Sequence, residues 1–418
     1  MKITLAGYIH IITTILILVY SIAIRNPIIL GLGLALILVA YYEYVSLRES
    51  YSHVWSLEIK RSTDRRVYME LEDMEIKLTI RNKDARKGFP RLIILDQPPR
   101  TIKPLGGKPV FTISLRPGAT ANIVYRAKIL SPGRHTLSSV QVAVSDVLNY
   151  FYEVYGFQAY ESVTALPLKV SLRESFKTVR RIIGVYVRGK SPSGLYDLAS
   201  FREYVPGDDI RRIVWKEYAK TRKLVVRIDY GEARPKALLL IDVRPYMWRI
   251  GDQPNTLAHI QLRLSRALLE FLVRSGARVD AAICSGAVPK ITTDITGEPD
   301  KALYDLLSIL DVGGGCESPL TIYSKVLGYT GKTIDEYDLV VLVVSPITIY
   351  MEGPEALQRL VESYPGKLLL VIPHYNYYEI IGEDKYNMLM SRIIGVVEKG
   401  GLGVELVEES LMFRGEAI

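Results

Sequence analysis

Two uncharged apolar runs close to the amino terminus constrain this chain most. Residues 3–24 and 28–42 contain no charged side chain, and only the short polar link at residues 25–27 separates them. The first run reaches the ~20 residues that span a hydrocarbon core. A cleaved signal peptide has a shorter apolar region and no second run directly after it. The pattern predicts a transmembrane helical hairpin over residues 1–50, with a buried helical hairpin or a cleaved leader as the alternatives.

Basic residues around the two runs predict the orientation of the hairpin. Lys2 precedes the first run, and the link between the runs contains Arg25 alone. A larger basic group follows the second run and consists of Arg48, Lys60, Arg61, Arg65 and Arg66. Because basic flanks remain on the cytoplasmic side, we expect a cell-membrane protein with two spans and the bulk of its chain on the cytoplasmic side.

Composition limits the remaining classes. The chain has 418 residues, which suggests two or three domains at ~150 residues each. Its two cysteines, Cys284 and Cys316, are too few for a disulfide framework, and no Cys/His spacing fits structural zinc. We therefore expect neither a disulfide-stapled secreted protein nor a zinc protein, and we interpret Cys284 as a buried small hydrophobic residue. Few Asn and Gln residues beside abundant Tyr, Arg and Ile are typical of a thermophilic archaeon.

Residues 57–163 show a hydrophobic period of two, with turn-forming residues between the alternating stretches. These stretches are residues 75–80, 110–115, 121–125 and 140–144. Short strands at this spacing predict an immunoglobulin-like antiparallel β-sandwich over residues 51–165. No catalytic grouping is evident in this region, so its expected role is that of a spacer or docking module near the membrane.

From residue 237 onward, near-continuous apolar strands alternate with helical patterns. The predicted strands are residues 237–242, 279–284, 338–344, 367–372 and 403–407, and the predicted helices are residues 257–275, 302–310, 354–363 and 386–398. This alternation predicts a doubly wound α/β domain with a parallel sheet over residues 235–418. Ligands of such sheets bind at the carboxyl ends of strands, and Asp242 is therefore the first position of interest.

Residues 194–227 form the most distinctive stretch of the sequence. Pro206 and Gly207 predict a turn, and Asp208 or Asp209 could cap a following helix. The residues at helical spacing are Ile210, Ile213, Val214 and Tyr218. Trp215 is expected to pack inside with the apolar ones, so that Trp215→Ala would cost ~3 to 5 kcal/mol.

The run GLYDLASFREYVPGDDIRRIVWK at residues 194–216 resembles the signature of the family called DUF58. The resemblance assigns residues 166–234 to a signature segment and implies a von Willebrand factor A-like α/β domain behind a membrane hairpin. It also implies a MoxR-type AAA+ ATPase as a partner. The signature residues are Arg202, Glu203, Tyr204, Pro206, Gly207, Asp208, Asp209, Arg211, Arg212 and Trp215.

The charged signature residues have three interpretations. Arg202, Arg211 and Arg212 could pair with nearby acidic residues to fix a turn, could form an exposed protein-docking surface, or could bind an anionic ligand. Arg211 and Arg212 are adjacent, so they would point ~100° apart on a helix. We expect the more exposed one to tolerate a change to Glu but to lose partner capture.

The metal-ion-dependent adhesion site of von Willebrand A domains has Asp-x-Ser-x-Ser after the first strand, with Thr and Asp on later loops. This chain retains Asp242 but has Arg244 and Tyr246 at the two serine positions. The later loops read Gly-Gly-Gly-Cys at residues 313–316 and Ser-Pro at residues 345–346. We therefore expect a degenerate site without metal, and hypothesise that the Arg244 guanidinium lies against Asp242 in place of the cation.

A literal phosphate-loop pattern, GxxxxGKS, occupies residues 184–191, but Pro192 and Gly194 disfavour the helix that such a loop must open. We expect no cofactor, no metal and no enzymatic activity. The sequence predicts a membrane-anchored, cytoplasm-facing adaptor that contacts lipid through residues 3–44. The alternative is a basic peripheral binder of nucleic acid or anionic lipid, given the net charge of +8.

Overall fold

The computed structural model of the protein describes residues 1–170, 179–181, 198–205, 210, 213–229 and 235–407. It divides into two compact units, Met1–Ala165 and Leu166–Ile418.

The first unit begins with two long helices, α1 at Leu5–Ile24 and α2 at Pro27–Ser52. Both are long and apolar enough to cross a membrane. The tight link is explained by its residues, because Arg25 adopts a left-handed conformation and the Asn26 side chain caps α2 by accepting a hydrogen bond from the Ile28 amide at 2.9 Å. Both predicted apolar runs therefore form helices, and α2 continues beyond the second run to Ser52.

Ten strands accompany the helices in this unit. They are β1 at Lys2–Ile3, β2 at Leu57–Thr63, β3 at Val67–Met69, β4 at Asp73–Asn82, β5 at Phe89–Asp96, β6 at Ile102–Pro104, β7 at Val110–Leu115, β8 at Thr120–Ile129, β9 at Gly133–Ser145 and β10 at Phe151–Leu166. One sheet has the order β1-β10-β9-β5-β7, with β3 also paired to β10, and the other has the order β2-β4-β8-β6. The neighbouring strands in these two orders pair antiparallel, as the period of two predicted.

A buried ion pair links the two sheets of the sandwich. Arg61 on β2 donates from Nε and Nη2 to the Asp96 carboxylate on β5, at 3.2 and 2.5 Å. The Tyr125 hydroxyl on β8 donates to the same carboxylate at 2.8 Å. The remaining guanidinium nitrogen donates to the Ala159 carbonyl oxygen at 2.6 Å. These hydrogen bonds compensate for removing both charges from water.

The second unit contains a small hairpin and a larger sheet. The hairpin pairs β11 at Leu198–Glu203 with β12 at Val225–Asp229, and the short helix α3 at Trp215–Thr221 lies between them in the chain. The larger sheet has the order β15-β14-β13-β16-β17-β18. Its strands are β13 at Lys236–Ile241, β14 at Arg278–Cys284, β15 at Pro289–Ile295, β16 at Leu339–Val343, β17 at Leu368–Pro373 and β18 at Gly403–Val407.

The larger sheet is parallel except for β15, which pairs antiparallel with β14 at one edge. Its central strands are apolar and buried apart from Lys236 at the start of β13, as expected for strands covered on both faces. The helices that follow are α4 at Leu257–Arg274, α5 at Pro299–Leu307, α6 at Pro319–Tyr323, α7 at Val326–Thr330, α8 at Pro346–Glu352, α9 at Pro354–Ser363, α10 at Tyr377–Ile381 and α11 at Glu383–Gly400. The alternation of strands and helices is confirmed, and β15 is an addition.

Candidate functional site

The reversal point of the larger sheet brings two chain segments together. From β13 the next strand, β14, lies on one side, whereas β16 lies on the other. Loops that leave β13 and β16 therefore meet at their carboxyl ends, where open α/β sheets bind ligands. Asp242 follows β13 and Ser345 lies just beyond β16, and both are fully buried.

Asp242 is held mainly by the start of α8. Its Oδ2 accepts a hydrogen bond from Thr348 Oγ1 at 2.6 Å and a longer one from the Ser345 amide at 3.4 Å. Ser345 caps α8, because its hydroxyl accepts from the Ile347 amide at 3.2 Å. No described residue donates a hydrogen bond to Asp242 Oδ1. The carboxyl is thus buried and only half satisfied.

Burial is the main influence on this carboxyl. It raises the pKa of Asp242 to about 7, against the hydrogen bonds from Thr348 and Ser345 and the charge of Arg244, which favour the ionised form. Burial likewise raises the pKa of Tyr246, whose hydroxyl lies 2.9 Å from Thr348 Oγ1. At neutral pH the Asp242 carboxyl is therefore divided between its protonated and ionised forms.

Arg244 does not bond Asp242, so the hypothesis that its guanidinium lies directly against that carboxylate is wrong. Its Nη1 lies 3.7 Å from Glu352 Oε1, and both side chains are largely buried. Glu352 also accepts hydrogen bonds from the Leu320 and Thr321 amides, at 3.0 and 3.2 Å. Glu352 lies at the end of α8 and draws the guanidinium toward itself, leaving Arg244 to act on Asp242 only through its charge.

The loop at residues 313–316 is fastened to the end of β13. The Cys316 amide donates to the Val243 carbonyl oxygen at 2.9 Å, and a Cβ at Gly315 would collide with that same oxygen. Cys316 also forms a disulfide with Cys284 at the end of β14. Cys284 is buried as expected, but interpreting it as a plain hydrophobic residue was wrong. Two cysteines far apart in sequence gave no signal of this pairing.

The described residues contain no group of three or more His, Cys, Asp or Glu side chains that could hold a metal ion. Asp242 has hydroxyl groups beside it, and its nearest charged neighbours are Arg244 and Glu352, which pair with each other. That this position binds no cation remains a prediction.

The signature segment forms part of the small hairpin. Arg202 pairs with Val226 and Glu203 with Val225 across the two strands, and the Tyr204 amide donates to the Leu224 carbonyl oxygen at 2.9 Å. The exposed Glu203 carboxylate lies 3.8 Å from Lys223 Nζ, so this acidic residue has a basic partner that the sequence interpretation did not name. The remaining signature residues lie outside the described residues: Pro206, Gly207, Asp208, Asp209, Arg211 and Arg212, as does the phosphate-loop pattern at 184–191.

Trp215 is exposed, and the expectation that it packs inside a helix is therefore wrong. Its side chain is 58% exposed at the first position of α3, and its ring meets Tyr218 edge-on with centroids 6.2 Å apart. Ile213 is buried instead, where it bridges Val226 of β12. The predicted helix over residues 210–218 begins only at Trp215, because Ile213 forms a β-bridge with Val226 and the Val214 amide donates to the Val225 carbonyl oxygen at 2.9 Å.

Among the described side chains of this region, four apolar ones are exposed to solvent, and we call them the exposed apolar set. They are Val205, Ile210, Trp215 and Leu224. Ile210 is 63% exposed, and its carbonyl oxygen accepts a hydrogen bond from the Ile213 amide at 3.2 Å. Ile213 lies two residues before Trp215 in the chain. The hydrogen bond from the Tyr204 amide to the Leu224 carbonyl oxygen places Val205 and Leu224 on adjacent chain segments, and contiguous exposed apolar surface is typical of sites that bind another molecule.

Sequence reasoning missed Thr348 and Glu352 at the buried site. The available signal was a Ser-Pro pair directly after a buried strand, which predicts a helix start. A threonine between two isoleucines in the first turn of that helix is a polar residue in an apolar setting. Its position then places its hydroxyl beside the end of the neighbouring strand.

Residues 200–332 match the family model described as "Protein of unknown function DUF58". No curated protein matches the chain.

Three of the solved structures that match the chain show weak similarity to it. The CARDB domain of a Pyrococcus furiosus protein in complex with di-metal ions is 14% identical, with a TM-score of 0.18 over 26% of this chain and 91% of that chain. The cupredoxin domain of amoB from Nitrosocaldus yellowstonii is 8% identical, with a TM-score of 0.19 over 29% of this chain and 98% of that chain. A GH20 exo-β-N-acetylglucosaminidase from Vibrio harveyi is 8% identical, with a TM-score of 0.26 over 84% and 75%. Similarities this weak carry no argument.

Proposed function

We propose that this DUF58 protein, which matches its family over residues 200–332, is a membrane-anchored, non-enzymatic adaptor that captures a protein partner with its exposed apolar set. The partner class is a MoxR-type AAA+ ATPase, which the family resemblance implies. The second unit, Leu166–Ile418, which we call the head, is proposed to be a von Willebrand A-like domain with a degenerate metal site, and the bulk of the chain to face the cytoplasm.

Trp215 carries this proposal. A Trp side chain that is 58% exposed keeps a large apolar surface in water, and Trp is enriched among the residues that dominate binding energy at protein interfaces. It lies within the region that matches the family, together with Ile210 and Leu224 of the exposed apolar set. The surface is therefore suited to a protein partner more than to an ion.

Burial at the reversal point of the sheet supports a non-enzymatic role. Asp242, Ser345 and Thr348 are all fully inaccessible to solvent, so a substrate could reach them only if the surrounding loops opened. The loop above them is tied down by the disulfide of Cys316 and by its hydrogen bond to Val243. We assign this cluster a structural role in the head.

Basic residues near the hairpin give less support to the alternative of an anionic-lipid binder. Arg61 is buried in its ion pair with Asp96, and the Arg65 guanidinium lies 2.7 Å from Glu72. Lys60 Nζ also lies 3.3 Å from Glu58 Oε1. Three of the four basic residues at positions 60–66 therefore already have acidic partners. Electrostatic binding to nucleic acid or lipid would also fall steeply as salt rises, whereas a packed apolar interface would not.

Co-purification from detergent-solubilised membranes tests the proposal. The wild-type chain should retain a MoxR-type AAA+ ATPase, identified by mass spectrometry, and Trp215→Ala should lose it. Trp55→Ala is the matched control, because Trp55 is also exposed but lies in the sandwich unit. Equal retention by the wild type and Trp215→Ala, or loss with Trp55→Ala alone, would contradict the proposed surface.

A further inference from the structure

The turn between β9 and β10 carries two exposed apolar side chains at its tip. Val147 is 55% exposed and Leu148 is 45% exposed. The turn itself is well fixed, because Asp146 accepts hydrogen bonds from the Tyr150 and Phe151 amides at 3.0 and 2.6 Å. Because these hydrogen bonds fix the turn, the Val147 and Leu148 side chains stay exposed to solvent.

Both helices of the hairpin bind this turn directly. On one side, Glu43 of α2 accepts hydrogen bonds from the amides of Val147 and Leu148, at 3.0 and 3.4 Å. On the other side, Thr4 at the start of α1 donates from its hydroxyl to the Asn149 carbonyl oxygen at 2.5 Å. The turn is thus held at the level of Thr4 on one helix and Glu43 on the other.

The length of α1 fixes where a bilayer would end. The helix has 20 residues, and at ~1.5 Å per residue it reaches ~30 Å, the thickness of a hydrocarbon core. The whole length of α1 is needed to span this thickness. The membrane boundary therefore falls between Lys2 and Leu5 at one end and at Arg25 at the other. Thr4, the N-cap of α1, lies at this boundary.

The second helix gives the same level. It is uncharged from Pro27 to Tyr42, and its first acidic residue is Glu43, which is buried against the turn. Tyr41 and Tyr42 are exposed just below it, and tyrosines are enriched where a membrane meets water. The remainder of α2 leaves the bilayer and packs on the sandwich, with Leu47 in the sandwich core.

We propose that the β9–β10 turn is a second membrane contact, in which Val147 and Leu148 insert into the interfacial layer of the bilayer beside the hairpin. This inference rests on the proposed membrane anchor, because it takes the bilayer level from α1 and α2. The turn contacts a lipid surface, because the turn and the helix ends that hold it, Thr4 and Glu43, all lie at the height of the membrane boundary. The sandwich then lies against the membrane and is not a free spacer.

A fluorescent probe sensitive to water tests this contact in the full chain reconstituted into vesicles of phosphatidylcholine and phosphatidylglycerol. Both native cysteines are joined in the disulfide, so a single introduced cysteine can be labelled. Three variants are compared: Leu148→Cys at the turn, Leu105→Cys as the matched control, and Leu16→Cys in the middle of α1. Leu105 is 41% exposed and follows β6, which pairs with the carboxyl end of β8. The opposite end of β8 pairs with the end of β4 that lies beside Leu57, just after α2.

We expect the Leu148 probe to show blue-shifted emission and stronger quenching by spin labels near the lipid headgroup than by labels deep in the acyl chains. The Leu16 probe should show the reverse order, and the Leu105 probe should show neither effect. A quenched Leu16 probe beside an unquenched Leu148 probe would overturn the second contact alone. An unquenched Leu16 probe would overturn the membrane anchor itself.

Discussion

Two buried carboxylates, Asp96 in the sandwich and Asp242 in the head, have opposite environments. Asp96 receives two hydrogen bonds from Arg61 and one from Tyr125. Asp242 receives hydrogen bonds only at Oδ2, while the nearest guanidinium, that of Arg244, pairs with Glu352.

The difference separates an ordinary structural ion pair from a buried carboxyl that has no directly bonded cation. The charge of Asp96 is matched by a cation within the same core, so it joins the two sheets. Asp242 lies at the reversal point of the larger sheet, and burial raises its pKa to about 7. A carboxyl kept there without a directly bonded cation makes the stability of the head depend on pH.

Removing the cation in the sandwich should have the largest effect on stability. Arg61→Met leaves Asp96 as an unpaired buried charge, and we expect the sandwich to lose ~3 to 5 kcal/mol of unfolding free energy. Denaturant unfolding of the full chain in detergent measures it. The double variant Arg61→Met with Asp96→Leu should recover most of the loss, and a single-variant loss below ~1 kcal/mol would mean that the pair is not holding the sheets together.

The loop beside Asp242 is closed by a covalent bond where the sandwich uses an ion pair. Replacing Cys284 and Cys316 together by Ser should cost ~3 to 4 kcal/mol in the chain-entropy account for a separation of 32 residues. Unfolding of the double variant against the oxidised wild type measures this loss. Alkylation of freshly isolated membranes followed by mass measurement tests whether the bond exists in the cell, since disulfides are rare in most reducing cytosols. Free thiols at both positions would show that the disulfide does not form in the cell.

Asp242→Asn should change how stability depends on pH. The carboxyl has a higher pKa when folded, about 7, than its ordinary value of 3.8, so the folded state binds its proton more tightly. Its contribution to stability is full below pH ~4 and is lost as pH rises through ~7. Between pH 5 and pH 8 the wild-type head should therefore lose ~2 to 3 kcal/mol that the neutral variant retains. Parallel pH profiles for the two proteins would show that Asp242 is not the titrating group.

Trp215→Ala should have the smallest effect on stability. Because the side chain is exposed, we expect a change within ~0.5 kcal/mol. The buried neighbour Ile213 provides the contrast, since Ile213→Ala should cost ~2 kcal/mol or more. Thermal unfolding of both variants measures this difference. A larger loss of stability for Trp215→Ala than for Ile213→Ala would show that Trp215 is buried in the core.

Periodicity predicted most of the fold because long patterns record burial. The apolar runs of α1 and α2, the alternating strand β4 and the continuous apolar strand β16 all follow from which faces avoid water. Strand β15 was missed because its sequence, PKITTDI, is mostly polar and pairs at one edge only. Short edge elements bury too little to leave a pattern.

The candidate site was harder to predict, because its contacts join residues distant in sequence. Asp242 was identified from its place at the end of a strand, but its partner Thr348 is separated from it by 106 positions. The predicted partner of Arg244 was wrong for the same reason, because its actual partner, Glu352, lies at the far end of α8. Trp215 was misplaced because helical spacing does not show which face of a short helix is covered.

Binding between the purified full chain in lipid nanodiscs and a purified MoxR-type AAA+ ATPase tests the central claim most directly. We predict that the two proteins bind, that binding changes little as salt rises, and that Trp215→Ala weakens it by ~10-fold or more while Trp55→Ala does not. Absence of binding, or binding that falls steeply with salt and is unaffected by Trp215→Ala, would contradict an adaptor that captures its partner through the exposed apolar set.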